Sequence, residues 1–349
     1  MKLPTARLVR IIKSIRGRRV AVVGDLMLDR YLWGTASRLS PEAAVPVVDF
    51  VEDTCCPGGA GNVAANLAAL GAKVAPFGVV GEDEFAPMLR NALRAAGLPE
   101  KGVVADSARR TTVKTRLIAR HQQVVRVDRE TRSALAGPVE EHLIRRVMGS
   151  LRSAQALVVS DYDKGVVTEE LSKRVLGACQ RLGLPAFVKP KRSRGPKYPG
   201  ATAIVLNCAE AGFLVTRALD DDDSVEEAGR KLLEYFACPA VLITRREQGM
   251  NLFEQDAPKS FHIAAISREM PFGRSAHAAS PHQFEGRQVF DVTGAGDTVL
   301  AMFALAAAAG ASLREAAVLA NLAAGVVVGK LGTATLTPAE LLSALRDLA

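Results

Sequence analysis

Aromatic side chains are scarce in this 349-residue chain: they make up 5% of it, with a single Trp and four Tyr. The five cysteines (Cys55, Cys56, Cys179, Cys208 and Cys238) include no Cys-x-x-Cys pair, and no apolar run is long enough to span a membrane. Each shortage excludes something. With so few rings to stack on bases, and with Lys and Arg spread along the whole sequence, the net charge of +8 does not describe a nucleic-acid surface. A basic pocket for anionic sugar phosphates or nucleotides accounts for it more economically. An odd number of thiols without ligand spacing fits a reducing compartment, where they pack and do not ligate. The start, Met1 to Arg19, reads as a basic amphipathic helix and not as a secretory leader. The expected location is therefore the cytoplasm, with no membrane partner.

What is present is apolar substance: 48% of the residues are hydrophobic, enough for the large core of one big α/β domain or of two. Short apolar runs at 19–25, 74–80, 156–160, 186–188, 203–206 and 240–244 alternate with helix-forming stretches at 85–96, 171–182 and 225–236. That rhythm predicts a parallel sheet with right-handed crossovers. Three β-rich stretches break it: 44–52, which carries Pro46 and so suits a sheet edge, 111–118 and 123–128. They predict a small separate sheet inserted in two pieces, about 30–57 and 108–130. The segment from His262 to Gln288 has no periodicity and reads as a loop. Beyond it, 316–324 is a further apolar helix, 325–332 follows, and Pro338 opens a closing helix.

Two glycine-rich stretches carry the chemistry. Asp291-Val292-Thr293-Gly294-Ala295-Gly296-Asp297-Thr298 precedes an unbroken apolar run and predicts a loop opening a helix near residue 295. A helix start offers unpaired N–H groups and partial positive charge, and glycines let an anion approach them. Asp297, in the first turn, is placed to take a proton from a hydroxyl; taken alone, the stretch fits a plain helix cap better. Pro57-Gly58-Gly59-Ala60-Gly61-Asn62 likewise reads as a loop opening an Ala-rich helix that ends at Gly71. Its Asn62 offers a donor and an acceptor to hydroxyls, although tight helix–sheet packing explains small residues as well. Asp25 and Asp29 follow the first strand. At the ends of successive strands, Asp25, Lys164, Asn207, Glu210 and Thr244 would share one rim, where open α/β sheets bind their ligands.

Together these stretches resemble the ribokinase-like (PfkB) carbohydrate kinases. The resemblance is carried by Gly-Gly-x-Gly-Asn-x-Ala at 58–64, Asn-x-x-Glu at 207–210 and Asp-Val-Thr-Gly-Ala-Gly-Asp at 291–297, in that family's order, and it covers nearly the whole chain. It implies a doubly wound, mostly parallel sheet in a single kinase domain, 1–349, with the inserted sheet as a lid over the sugar and as the interface of a homodimer. Within the family the chain looks most like the D-glycero-β-D-manno-heptose 7-phosphate kinases of ADP-heptose and lipopolysaccharide core synthesis. That likeness lies in 24–31, 37–43, 114–116, 122–128, 160–165 and 329–335. In many bacteria such a kinase is fused to a nucleotidyltransferase with an His-x-Gly-His motif; this sequence ends at Ala349 without one, so a stand-alone kinase is expected.

By this resemblance Asp297 is the general base and Gly294, Ala295 and Gly296 give N–H groups to the transferring phosphoryl. Asp25, Gly58, Gly59 and Asn62 bind the sugar, and Arg116 and Lys164 its phosphate. Asn207 and Glu210 organise Mg²⁺ through water, Thr244, Gly249 and Asn321 lie along ATP, and Asp291 and Thr293 match the region that holds a monovalent cation such as K⁺ in some relatives. Three departures stand out: Lys189-Pro190-Lys191 where the family has Asp-Pro-Lys, Val205-Leu206-Asn207 where it has Thr-Pro-Asn, and a longer stretch before 291. The alternatives are a kinase for another sugar or sugar phosphate, and a non-catalytic sugar- or nucleotide-binding regulator, against which Asp297 argues. A dinucleotide-dependent oxidoreductase is disfavoured, since the first strand leads into Gly-Asp-Leu-Met and not a Gly-x-Gly-x-x-Gly turn.

Overall fold

A computed structural model describes residues 4–120, 122–191, 198–266, 294–330 and 334–347. In chain order the elements are α1 (Thr5–Ser14), β1 (Arg19–Gly24), β2 (Leu26–Leu39), β3 (Pro46–Gly59), α2 (Ala60–Ala69), β4 (Lys73–Val80), α3 (Phe85–Ala95), β5 (Val103–Ala105), β6 (Thr112–Ala119) and β7 (Gln122–Arg129). Then follow α4 (Gly137–Leu151), β8 (Ala156–Ser160), α5 (Glu169–Leu182), β9 (Ala186–Lys189), β10 (Ala203–Asn207), α6 (Cys208–Val215) and α7 (Asp222–Phe236). The chain continues through β11 (Ala240–Thr244), β12 (Met250–Glu254), β13 (Phe261–Ile263), α8 (Ala295–Ala308), α9 (Leu313–Val328) and α10 (Pro338–Arg346).

Nine strands form the main sheet in the order β13-β12-β11-β10-β9-β8-β1-β4-β5. Pairing is parallel from β11 through β5, and antiparallel between β11, β12 and β13. A parallel sheet is covered on both faces, so its strands read as continuous apolar runs. Val20 and Val22 of β1 enter a core shared with α1, α2, α3, α8, α9 and α10. Ala21 and Val23 enter the opposite core, shared with α4, α5, α6 and α7. This is the doubly wound α/β fold that the alternation implied.

Register sets the rim. Gly24 pairs with Ser160, Ser160 with Lys189, and Asn207 with Thr244, so β1, β8, β9, β10 and β11 all end at one edge of the sheet. Only Asp25 separates β1 from β2, which leaves the main sheet and joins a second one in the order β3-β2-β6-β7. β3 is its edge strand, where Pro46 costs no ladder bond.

Local readings differ from the structure in several places. Gly58 and Gly59 end β3 and are not a loop; β3 runs straight into α2 because Gly59 sits at φ 57°, where a Cβ would come within 2.4 Å of the Asp25 carbonyl oxygen. Cys208–Val215 is a helix, too short to show a period. Gly325 lies inside α9, which runs on to Val328, and His262 lies in β13 and not in a loop. The remainder of the 262–288 reading, from residue 267, falls outside the described residues.

Candidate active site

The site is built where α8 begins against the rim. Gly294 adopts the left-handed conformation (φ 86°) that turns the chain into the helix, and the Asp297 N–H donates to its carbonyl at 2.9 Å. That turn aims Asp297 inward, where its carboxylate is buried. Three donors hold it. Asn62 Nδ2, in the first turn of α2, donates to Oδ2 at 2.9 Å. The Tyr162 hydroxyl and Lys189 Nζ both donate to Oδ1, at 2.6 and 2.7 Å. Behind this carboxylate, Thr298 Oγ1 donates to Asn66 Oδ1 at 2.8 Å, and Asn66 Nδ2 donates to the Asn62 carbonyl at 2.9 Å. The Asn62–Asp297 and Thr298–Asn66 bonds tie α2 to α8 across more than 230 residues of sequence, and Asn66 Nδ2, which also donates to Asn62 Oδ1 at 3.2 Å, orients the Asn62 amide.

The electrostatics follow from burial. Desolvation alone would push the Lys189 ammonium down, but the Asp297 carboxylate together with Tyr162 and Glu210 outweighs it and holds the group above the usual lysine value. Burial, then the Asp297 charge, pushes the Tyr162 phenol up, so its hydroxyl stays a donor. Asp25 is buried beside them, and its carboxylate accepts the backbone N–H groups of Tyr162 (2.7 Å), Lys164 (3.2 Å) and Val166 (3.2 Å). Burial raises its pKa and the three N–H groups oppose the rise. Asp25 thus shapes the loop that delivers Tyr162. Next to it, burial and the Asp25 charge lift Asp161 to about 6, against the Tyr198 hydroxyl that donates to it at 2.5 Å.

The residues proposed to hold the sugar's phosphate are paired. Arg116 Nη1 donates to Asp29 Oδ1 at 2.5 Å and its guanidinium lies 5.2 Å from the Tyr31 ring centre. Lys164 Nζ lies 2.9 Å from Glu130 Oε2 on the second sheet's side. Burial raises the Asp29 pKa, the Arg116 guanidinium opposes the rise, and the Asp297 charge adds to it. Gly58 is tight against Asp29, since a Cβ there would lie 2.3 Å from Asp29 Oδ2.

Asn207 and Glu210 form a capping box at α6: Asn207 Oδ1 accepts the Glu210 N–H at 2.8 Å and Glu210 Oε2 accepts the Asn207 N–H at 2.9 Å. The remaining oxygen, Oε1, lies 3.5 Å from Lys191 Nζ. Among the described residues no group of three or more His, Cys, Asp or Glu is placed to hold a metal ion. Thr244 is beside Asn207 in register. Gly249 and Asn321 meet elsewhere, at the end of β13: a Cβ on Gly249 would lie 2.0 Å from the Ile263 carbonyl oxygen, and Asn321 Nδ2 donates to Ala264 O at 2.8 Å. Asp291 and Thr293 lie outside the described residues.

Sequence reasoning did not place Tyr162 or Lys189 on Asp297. The available signal was positional: both follow strands of the shared rim, and Lys189 was visible as a cation at a family carboxylate position.

Comparison with known proteins shows the family and the fold. Residues 18–340 match the model of the pfkB family carbohydrate kinases. The chain is 43% identical over 325 residues to the bifunctional protein HldE of Citrifermentans bemidjiense, covering 93% of this chain and 63% of that protein. It is 43% identical over 324 residues to the bifunctional protein HldE of Geobacter sulfurreducens, with 93% and 62% covered. The chain therefore spans a little over three fifths of the length of these relatives. Among solved structures, the ribokinase of Arabidopsis thaliana complexed with ribose and ATP superposes with a TM-score of 0.72 at 19% identity, covering 95% of this chain and 99% of that one. Phosphofructokinase-2 of Escherichia coli, in complex with substrates and products, gives the same TM-score and identity over 95% and 99%. Both show a common ribokinase-like fold.

Proposed function

The chain belongs to the pfkB family of carbohydrate kinases, and from that footing we propose that it phosphorylates the anomeric hydroxyl of D-glycero-β-D-manno-heptose 7-phosphate with ATP. The product would be the 1,7-bisphosphate, a precursor of ADP-heptose for the lipopolysaccharide core. The observation that carries the kinase chemistry is the buried Asp297 carboxylate at the N-terminus of α8, with Oδ1 held by two donors and Oδ2 by one. The motif likeness to heptose 7-phosphate kinases and the 43% identity to HldE proteins support the acceptor.

In this reading the acceptor hydroxyl donates to Asp297 Oδ2, beside Asn62, and gives up its proton there as its oxygen attacks the γ-phosphorus. The N–H groups of Gly294, Ala295 and Gly296 face the transferring group. Phosphoryl transfer needs little more than positioning and charge balance, and this arrangement supplies both. Asp25, Gly58 and Gly59 border the sugar; Arg116 and Lys164 take its 7-phosphate in competition with Asp29 and Glu130. Thr244, Gly249 and Asn321 would line the nucleotide. Glu210 Oε1 is the carboxylate oxygen left over by the capping box, which fits a Mg²⁺ that rides on the nucleotide's phosphates and keeps its water. Bound there, Mg²⁺ would offset phosphate charge. Asp291 and Thr293 are the proposed K⁺ region.

The second sheet exposes Leu39, Phe50, Val51, Val125 and Val127, an apolar surface that supports a homodimer formed through this lid. Among the described residues no helix is long and apolar enough to cross a membrane; a cytoplasmic reaction is proposed on the location of its substrates.

ADP release with the heptose 7-phosphate, fructose 6-phosphate and ribose as acceptors tests the reading. The expected result is a kcat/KM at least about 100-fold higher for the heptose phosphate, the discrimination available when a site's hydroxyl-binding groups are left unpaired by the wrong acceptor. Preference for another sugar would remove the heptose assignment, and no transfer to any acceptor would remove the kinase.

A further inference from the structure

Two positive features converge on one point of the site. The first turn of α8 has no side-chain cap and leaves N–H groups free, and Lys189 Nζ lies 3.0 Å from where a Cβ on Gly296 would stand. A largely buried ammonium beside a helix N-terminus is repelled by it, and the Asp297 carboxylate, 2.7 Å away, is what makes the placement tolerable. An ammonium has three N–H donors. One goes to Asp297 Oδ1 and a second is directed at the Tyr162 hydroxyl at 3.4 Å. Among the described residues the third donor has no acceptor. Lys191 differs: it is 45% exposed and 3.5 Å from Glu210, though both ammonium groups stand over the Tyr162 ring, 5.3 and 5.4 Å from its centre.

We infer that Lys189 is a catalytic residue of phosphoryl transfer, donating to the γ-phosphoryl group while it holds Asp297 Oδ1. This rests on the kinase reading. The electron count explains why the pairing is useful. The acceptor's O–H bond breaks and its proton goes to Asp297 Oδ2; the new O–P bond forms; the bond from the γ-phosphorus to the bridging oxygen breaks, and its electron pair leaves on ADP. As Asp297 takes the proton it loses its negative charge. The Lys189 ammonium, which gains and loses nothing, then has its charge free for the phosphoryl oxygens at the moment they need it. One side chain thus couples proton removal to charge balance, with a protein cation at a position where the sequence resemblance leads one to expect a carboxylate.

The test compares wild type with Lys189→Met and Lys189→Arg in the full chain, after acceptor-dependent turnover of the wild type has been measured. Lys189→Met is expected to lower kcat by about 10²–10³-fold, the loss typical of one transition-state donor. KM for the sugar and Kd for ADP should stay within about threefold. Binding of ADP with aluminium fluoride, a mimic of the transferring group, should weaken by a factor similar to that on kcat, and Lys189→Arg should restore part of both. A merely structural lysine would move ADP and ADP–aluminium fluoride equally. Equal effects, or a kcat within threefold of wild type, overturn the inference while leaving the kinase standing. A wild type that transfers no phosphoryl group overturns both.

Discussion

Asp297 sits in a pocket of donors, so its replacement has two separable consequences. Asp297→Asn removes the proton acceptor and should cut turnover by about 10²–10⁴-fold. It also leaves the Lys189 ammonium without its counter-charge, at a cost of about 3–5 kcal/mol for a buried pair broken on one side. The double variant Asp297→Asn/Lys189→Met should regain most of that stability in denaturant unfolding yet none of the activity. A single variant as stable as wild type would show that the pair is not buried as described. Asp161 gives a second residue-level prediction. Its carboxyl is lifted to about 6 from an ordinary 3.8, so between those values the folded protein holds a proton that the unfolded chain releases. The stability this group contributes is complete at pH below about 4 and is lost as pH rises through about 6, roughly 3 kcal/mol for a displacement of about two pH units. The unfolding free energy of wild type minus that of Asp161→Asn should fall across this window; a flat difference would contradict it.

At the scale of elements, legibility tracked how local the causes were. The capping signature of α6 was present in the sequence as Asn207-x-x-Glu210, yet the stretch was read as a strand's polar end because eight residues carry too little period to declare a helix. The start of α8 was legible, since a Gly turn before an unbroken apolar run has few alternatives. β2 was not read as a strand. Most of its far half, Gly34 to Arg38, is small or polar and holds its place by pairing with β3, a tertiary cause that leaves little trace in β2 itself. The same element logic separates two roles of Glu210. Gln at this position can still accept the Asn207 N–H, so Glu210→Gln should leave stability within about 0.5 kcal/mol. It should also raise the Mg²⁺ concentration for half-maximal rate several-fold. Titrating activity against Mg²⁺ beside a thermal melt checks this, and unchanged Mg²⁺ dependence would confine Glu210 to capping.

For the whole molecule, the alternation of apolar runs and helices announced the doubly wound sheet, and with it the rim on which Asp25, Lys189, Asn207 and Thr244 stand. What could not be seen was which side chains meet across that rim. Tyr162 and Lys189 reach Asp297 from 135 and 108 residues away, and only the register of β8 against β9 brings them together. The exposed apolar face of the lid belongs to this scale too. If it joins two copies, Phe50→Glu together with Val125→Glu should turn a dimer into a monomer in light scattering, at micromolar protein, without lowering the melting temperature of the monomer's core. An unchanged mass would place any interface elsewhere.

Most directly, ³¹P nuclear magnetic resonance of wild type and Asp297→Asn with ATP and D-glycero-β-D-manno-heptose 7-phosphate reports both the site of transfer and the base. Wild type should yield a second phosphorus resonance coupled to the anomeric proton, growing as ADP appears, and the variant should yield none on the same time scale. A new phosphate on any other hydroxyl, or an Asp297→Asn protein that forms the bisphosphate as fast as wild type, would contradict anomeric transfer by an Asp297 base.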